Sequence, residues 1–419
     1  MCIYSLSFPQ RRTISDQVTI FLIAPNVSEQ MGGEAMKALQ ISQQLKRIHP
    51  NTIQITHERN EIEIRRHLKL EDVLFVKDDW VTIFLWKSLV FQWLVDAWFS
   101  QKAIAIAEDY VRKNKLDPSK VIIHQTEPNS PVIPRTISKN FYNVFGPING
   151  NIYYPEIFRA KETFKTKLRR IFHIPFQKFN SLFFRAAAKA DLLFIAGGAR
   201  TKNSMIAAGA RPEKMIDSLD CGIQDEILNR PRVEHKGENF KFIHFGRLVF
   251  HKCTFLIIES LVKTKNQISL DIVGKGPELE HCQALAKELG VEDRVNFLGW
   301  YTHHDELLDS LKNFRGFILP SIEDSNGIVV QEAMALGLPA ICLDWGGPQL
   351  LVEHGVTGYL IEPKNQEFIT NHIAKYLDEL AVNGDLAEKM SIASREKAQN
   401  WRWSSVINQW TSYYLKLLT

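Results

Sequence analysis

The second half of the chain repeats one device: a short apolar run that stops at a glycine or proline, then a stretch of helical pattern. Phe242–Phe245 ends at Gly246, Leu270–Val273 at Gly274, Val295–Leu298 at Gly299 and Gly316–Leu319 at Pro320, while Ala340–Leu343 leads to Gly346-Gly347. Short, nearly unbroken apolar runs are strands buried on both faces. Such strands belong to parallel sheets whose crossover helices cover both sides. The first half carries the same alternation less sharply, with strands expected at 18–24, 52–56, 73–76, 121–124, 142–145 and 192–196. Between the first two, Ala35, Leu39, Ile41 and Leu45 keep a helical period. The expectation is an α/β chain of two Rossmann-like, doubly wound domains facing across a cleft, with ligands held at the carboxyl ends of the strands. A length of 419 residues accommodates both. The boundaries read as 1–229, a polar linker at 230–239, a second domain at 240–395, and a Trp- and Tyr-rich helix within 396–419.

Composition narrows the function. Five scattered cysteines (Cys2, Cys221, Cys253, Cys282, Cys342), with no C-x-x-C pair, argue against a disulfide framework and a zinc cluster and for a reducing compartment. The net charge of +4 is mild for a nucleic-acid binder, and no nucleic-acid partner is expected. The charge is unevenly spread: residues 159–189 hold nine Lys and Arg against the single acid Glu162, so this block alone is +8 and the remainder −4. Such a block, mixed with Phe and Leu, points to an anionic neighbour, and an interfacial element at an anionic membrane surface fits it. No signal peptide is visible, because Arg11 and Arg12 precede only the short run from Val18 to Ala24. The longest apolar window, Trp80 to Phe99, carries Ser88, Gln92 and Asp96 at helical spacing, a polar stripe that a bilayer-spanning helix should not carry unpaired. The expected location is the cytoplasm, with peripheral contact at the inner membrane face.

The sharpest motif runs from Pro320 to Pro339. A strand ends at Pro320, a polar loop (Ser321 to Asn326) follows, and a helix begins near Gly327 and stops at Gly337-Leu338-Pro339. Free amides at a helix N-terminus behind a flexible Asn-Gly suit a phosphate. Asp324 on the loop and Glu332 on the helix are placed to accept hydrogen bonds from the hydroxyls of one ligand. A second motif, Gly246-Arg247-Leu248-Val249-Phe250-His251-Lys252, supplies two cations at the end of another strand. A third, Gly274-Lys275-Gly276-Pro277, is a glycine loop between strand and helix.

Together these motifs resemble the retaining, family-four-like GT-B glycosyltransferases (glycosyl transferases group 1). Their acidic signature is Pro-Ser-x-x-Glu-Gly-Phe-Gly followed, four residues on, by Glu-Ala-Met-Ala-x-Gly-x-Pro. The alignment sets Asp324 at the first Glu and Glu332 at the second, with Ser325-Asn326 in place of Gly-Phe. The resemblance implies that Asp324 contacts the donor sugar and Glu332 the nucleotide ribose. It also implies that Arg247 and Lys252 hold the donor diphosphate, with Cys253 where the family has Gly. Two fixed cations stabilise a departing diphosphate without a metal, so neither metal nor cofactor is expected. Gly274, the backbone at Leu298 in Asn296-Phe297-Leu298-Gly299-Trp300, and Asn326, Gly327 and Ile328 complete the implied donor site, with Gly32 and Gly33 facing it from the first half. Gly346-Gly347-Pro348 and Thr357-Gly358 match as turns. On the acceptor side the candidates are His124, Glu127 and Asn149. The family's usual His is missing from the loop Gly146-Pro147-Ile148-Asn149-Gly150. The family's last helix packs back on the first domain.

The implied activity is transfer of a hexose, by family frequency glucose, from a UDP-sugar to a saccharide or lipid-linked acceptor in polysaccharide or glycoconjugate synthesis. Two alternatives stay open: a nucleotide-sugar epimerase of the same fold, and a catalytically silent nucleotide-sugar-binding protein.

Overall fold

A computed structural model describes residues 18–419 apart from Gln30, Gly32, Leu89, Val90 and Ile152. The chain forms two compact units. The first holds the described residues up to Asn151 together with Phe172–Asp220 and Trp403–Thr419; the second holds residues 153–171 and Cys221–Arg402.

The first unit is built on a parallel sheet of β1 (Thr19–Ile23), β2 (Thr52–His57), β3 (Val73–Val76), β4 (Val121–Gln125), β5 (Tyr142–Ile148), β6 (Leu192–Ile195) and β7 (Met215–Asp217). The order is β3-β2-β1-β4-β5-β6-β7, and Phe21 on β1 stands opposite Ile53 on β2 and Ile123 on β4. All five residues of β1 are buried, as a strand covered on both faces requires. The direction of winding reverses between β1 and β4, which brings the loops after these two strands side by side.

The second unit repeats the plan with β8 (Lys241–Phe245), β9 (Ser269–Val273), β10 (Val295–Gly299), β11 (Gly316–Leu319), β12 (Ala340–Leu343) and β13 (Gly358–Ile361), in the order β10-β9-β8-β11-β12-β13. Its core packs Phe242, Leu256, Ile272, Ile318 and Ile373, all fully buried. Here the winding reverses between β8 and β11. The loop carrying Arg247 and Lys252 therefore lies beside the loop carrying Asp324, a juxtaposition that follows from the topology alone.

The doubly wound architecture is as the sequence implies, and several local expectations are corrected. The apolar window 80–99 is divided between two helices. Asp79 caps a helix at Trp80–Lys87 through the Thr82 amide (2.8 Å), Ser88 ends it in extended conformation, and a new helix runs over Val95–Lys113. Ser88, Gln92 and Asp96 therefore form no common stripe. The edge strands β7 and β13 were not anticipated, and Thr357-Gly358 leads into β13 rather than forming a free turn. Residues 230–239 are packed into the second unit: Val233 is buried, and Arg232 donates to Glu388 and to Ser391 Oγ (2.6 Å). The Arg232 guanidinium pulls the Glu388 carboxyl down to about 2. Residues 153–171 also lie in the second unit, where Phe158 joins the core and the Trp345 indole donates to the Tyr153 carbonyl (2.9 Å).

The last helix, Trp403–Leu418, follows a separate helix at Gly384–Gln399 and lies in the first unit. Trp410 and Tyr414 on it are fully buried, and Trp410 stacks on Phe194 of β6 (centroids 5.1 Å, 23° between planes). Among the described residues, no helix is long and apolar enough to cross a membrane.

Candidate active site

Three loops at the carboxyl ends of the second sheet converge. Gly246 and Leu248 donate backbone hydrogen bonds to the carbonyls of Val273 and Lys275 (both 3.0 Å), so the loop after β8 is laced to the loop after β9. Gly274 makes this possible: its φ is +151°, and a Cβ there would sit 1.9 Å from the Gly246 carbonyl oxygen. The carbonyl of His251 in turn accepts from the Ile322 amide (2.9 Å) and Ser321 Oγ (3.0 Å), which fixes the loop after β11 to the turn that carries Lys252.

That last loop is shaped by Asp324. One of its carboxylate oxygens accepts from the Gly327 amide at 2.9 Å and the other accepts from Lys252 Nζ at 2.5 Å. Both side chains of the pair are mostly buried, 18% exposed for Lys252 and 13% for Asp324. Gly327, left-handed at φ 67°, then opens the helix Ile328–Ala335, whose first-turn amides have no preceding helical carbonyl to bond. Among the described residues the Nδ2 of Asn326 is buried with no hydrogen-bond partner, a donor left over at the same place. Gly346-Gly347 is more than a turn. A Cβ on Gly347 would meet the Ser325 carbonyl at 2.6 Å, and the Gly347 amide donates to the Asp324 carbonyl at 2.7 Å, so this segment backs the acidic loop directly.

Arg247 is exposed, and among the described residues its guanidinium has no ion-pair partner. Glu332, one turn into the helix, pairs with His304 Nε2 at 3.1 Å; the carboxylate hydrogen bond pushes the His304 pKa up. Leu298 sits at a β-bulge. The register of β10 on β9 skips it between Phe297 and Gly299, so its backbone stands outside the ladder and its side chain is exposed. The second unit thus brings Arg247, Lys252, Asp324 and Glu332 to one end of its sheet, with Gly274, Leu298, Asn326, Gly327 and Ile328 on the same rim.

Sequence reasoning missed two groups at this end. His304, on the helix His304–Ser310, carries no motif that would join it to Glu332. Glu323 stood beside Asp324 unremarked; burial pushes its pKa up, opposed by the positive charges of Arg169 and Lys252. Cys253, where the resembling family has Gly, adopts the left-handed conformation (φ 52°) that explains the family's preference. Burial pushes its thiol far above the ordinary range.

The acceptor-side candidates fare differently in the first unit. His124 is a core residue: it is fully buried on β4, Nε2 pairs with the Gly146 carbonyl (2.8 Å), Nδ1 pairs with the Tyr414 hydroxyl (2.7 Å), and burial drives its pKa down to about 3. It has no ring nitrogen left for an acceptor, which corrects that expectation. Glu127, on the loop after β4, is buried, with one carboxyl oxygen weakly held by the Asn26 amide (3.4 Å) and the other without a partner among the described residues. Burial first, then the nearby Glu34 charge, push it up to about 8, against the opposing pull of Lys37. Lys37 itself is held in a buried pair with Asp220 at 2.6 Å. Asn149 follows β5, and its side-chain oxygen accepts from Arg200 (3.2 Å), another residue without a sequence signal. Gly33 begins the helix Gly33–Ile48 with open space beside it, and Gly32 lies outside the described residues.

The sequence model of the family "Glycosyl transferases group 1" matches residues 225–397. A lipopolysaccharide 1,6-galactosyltransferase of Salmonella typhimurium is 30% identical over 140 residues, 32% of this chain and 39% of that protein. An N-acetyl-alpha-D-glucosaminyl L-malate synthase of Bacillus anthracis is 31% identical over 165 residues, 39% of this chain and 42% of that protein. These matches span under half the length of each relative. Among solved structures, the apo form of the lipopolysaccharide outer core galactosyltransferase WaaB superposes with a TM-score of 0.66 at 18% identity, over 95% of this chain and all (100%) of that one. Anabaena HepE, solved in complex with UDP, gives 0.62 at 18% identity over 95% and 100% of the two chains. At such identities the structural likeness speaks for the GT-B fold.

Proposed function

We propose, from a second unit whose residues 225–397 match the sequence model of glycosyl transferases group 1, that the protein transfers a hexose from a nucleoside diphosphate sugar to a hydroxyl acceptor. The observation that carries this reading is the Lys252–Asp324 pair beside the exposed Arg247, at the winding reversal of the second sheet. Two cations at one sheet end suit a diphosphate, and a carboxylate held beside them suits sugar hydroxyls. On this reading the arriving diphosphate takes Lys252 from Asp324, and the freed carboxylate turns to the sugar. Glu332 exchanges His304 for the ribose hydroxyls. Asn326 and Ile328 offer donors to phosphate oxygens while the Gly327 amide stays on Asp324, and the bulged backbone at Leu298 is open to the base.

The donor is UDP-glucose on this proposal. The UDP complex of Anabaena HepE supports a uridine nucleotide, and the choice of glucose rests on family frequency. The reaction breaks the bond between the anomeric carbon and the phosphate oxygen, and the acceptor oxygen bonds to that carbon on the same face. The acceptor's proton passes to the leaving phosphate. Arg247 and Lys252 stabilise the charge growing on the diphosphate, so no metal is called for. The acceptor is a saccharide, free or lipid-linked, and Glu127 and Asn149 remain the first-unit candidates to meet it. The setting is polysaccharide or glycoconjugate synthesis in the cytoplasm, with the +8 block at 159–189 held to the anionic inner membrane face.

A thermal-shift panel tests the donor. UDP at a hundred times its dissociation constant adds about 2.7 kcal/mol of stability, while GDP and ADP at the same concentration add little. A shift with GDP or ADP and none with UDP overturns the uridine assignment.

A further inference from the structure

The helix Phe164–Phe183 is amphipathic the wrong way round for a buried element. Phe172, Phe179, Leu182 and Phe183 recur on one face at helical spacing, and that face points out: Leu182 is 74% exposed and Phe183 69%. The inward residue is polar. Gln177 is buried, donates to the carbonyls of Pro131 and Ser204 (both 3.0 Å), and accepts from Ser204 Oγ (2.7 Å).

A second apolar face adjoins it in the first unit. The helix Trp80–Lys87 turns Thr82 and Leu85 inward and leaves Trp80 78% exposed and Trp86 61%, with Ile83 and Phe84 beside them. Phe91 stacks on Phe84 (6.4 Å). Trp93 then meets Phe176 and Phe184 of the first segment edge-on (5.3 and 6.1 Å), which ties the two faces together. Exposed Lys87, Lys178 and Arg185 lie on the same two segments. Scattered exposed apolar residues need no explanation, but a contiguous set of this size marks an interaction site.

We infer that these two segments together form a surface that inserts into the headgroup–acyl boundary of an anionic lipid bilayer, with the helix Trp80–Lys87 as a second inserting element beside Phe172–Phe183. Charge decides for lipid over a protein groove. The apolar stripe lies within the +8 block, and aromatic side chains bordered by Lys and Arg match an anionic interface, which attracts the cations while the rings enter the acyl boundary. The inference deepens the membrane contact proposed above and is independent of the donor assignment.

Vesicle binding by the full chain tests it. Vesicles of phosphatidylcholine with a third phosphatidylglycerol should sediment the protein at low salt, and pure phosphatidylcholine should do so at least about tenfold less well, a difference that salt reduces. Two double variants, Trp80→Ser with Trp86→Ser and Phe179→Ser with Phe183→Ser, should each lower partitioning about tenfold or more at unchanged melting temperature, since all four side chains are exposed. Lipids brominated along the acyl chain should quench tryptophan fluorescence of the parent protein and quench it less in Trp80→Phe with Trp86→Phe. Equal binding to neutral and anionic vesicles, no quenching, or full binding by both Ser variants overturns the inference. So does a lipid-free dimer that the Ser variants dissociate, because the face would then be a contact between copies. The UDP thermal shift, measured on the same variants, should persist. Its absence from the parent protein as well would fail the donor reading and leave the docking result standing.

Discussion

Replacing Asp324 with Asn separates two roles that a plain loss of activity would merge. Asp324 holds Lys252 at 2.5 Å and caps the next helix through the Gly327 amide at 2.9 Å. Asn keeps an oxygen for the Gly327 amide but sets an NH2 against the ammonium, so Lys252 is released while the loop keeps its cap. A hydrogen bond between charged groups contributes about 1.5–3 kcal/mol. With the pair still partly open to water, we take about 1 kcal/mol as the cost that an arriving diphosphate meets in displacing Asp324. Asp324→Asn should therefore bind UDP about fivefold more tightly by calorimetry, while its turnover of UDP-glucose falls about a hundredfold because the sugar loses its carboxylate. Lys252→Ala should move UDP affinity the other way. If Asp324→Asn weakens UDP as much as Lys252→Ala does, the exchange of partners is wrong, and the two residues act as one preformed unit.

Lys252→Ala and Arg247→Ala should each cut turnover about a hundredfold or more, the loss typical of one fixed group that stabilises transition-state charge, about 2.7–4 kcal/mol; full activity in either sinks the diphosphate assignment. Glu332→Ala should raise KM with little change in kcat, since ribose contacts do not change along the reaction, and a kcat effect alone would contradict the ribose role. EDTA should leave turnover intact, and restoration by added magnesium would show that the two cations do not suffice. Glu127→Gln tests the buried carboxyl. With a folded pKa near 8 against an ordinary 4.5, the native state holds a proton that the unfolded chain releases, so the parent protein loses stability as pH rises from about 4.5 to 8. At about 1.4 kcal/mol per pKa unit the variant should gain several kcal/mol over the parent at pH 8 in urea unfolding, and little at pH 5; an equal difference at both values would show that Glu127 is ionised throughout.

The sheets were legible because their strands are apolar runs closed by glycine or proline, and the winding reversal then brings Arg247, Lys252 and Asp324 together without further information. The edge strands Met215–Asp217 and Gly358–Ile361 escaped because they are short, and Met215–Asp217 grows more exposed along its length, leaving little apolar signal. The path of 153–171 into the second unit rests on tertiary contacts such as Trp345 to Tyr153, which no local pattern encodes. His124 misled because a histidine at a strand end looks chemical in sequence, and only Tyr414 and the Gly146 carbonyl reveal it as core. The partnership of His304 with Glu332 is equally silent, joining two helices 28 positions apart. The outward face of Phe172, Phe179 and Phe183, with Gln177 turned in, is a fact of packing that no local pattern encodes.

The central claim is hexosyl transfer with retention, and water as a slow acceptor tests it without knowledge of the natural one. UDP-α-glucose incubated with the protein alone should, in time-resolved proton NMR, release α-glucose first, before mutarotation supplies the β form, and Lys252→Ala should abolish the release. β-Glucose appearing first would contradict retention. A new UDP-hexose with no free sugar would make the protein an epimerase, and no reaction despite tight UDP binding would leave a nucleotide-sugar-binding protein without catalysis.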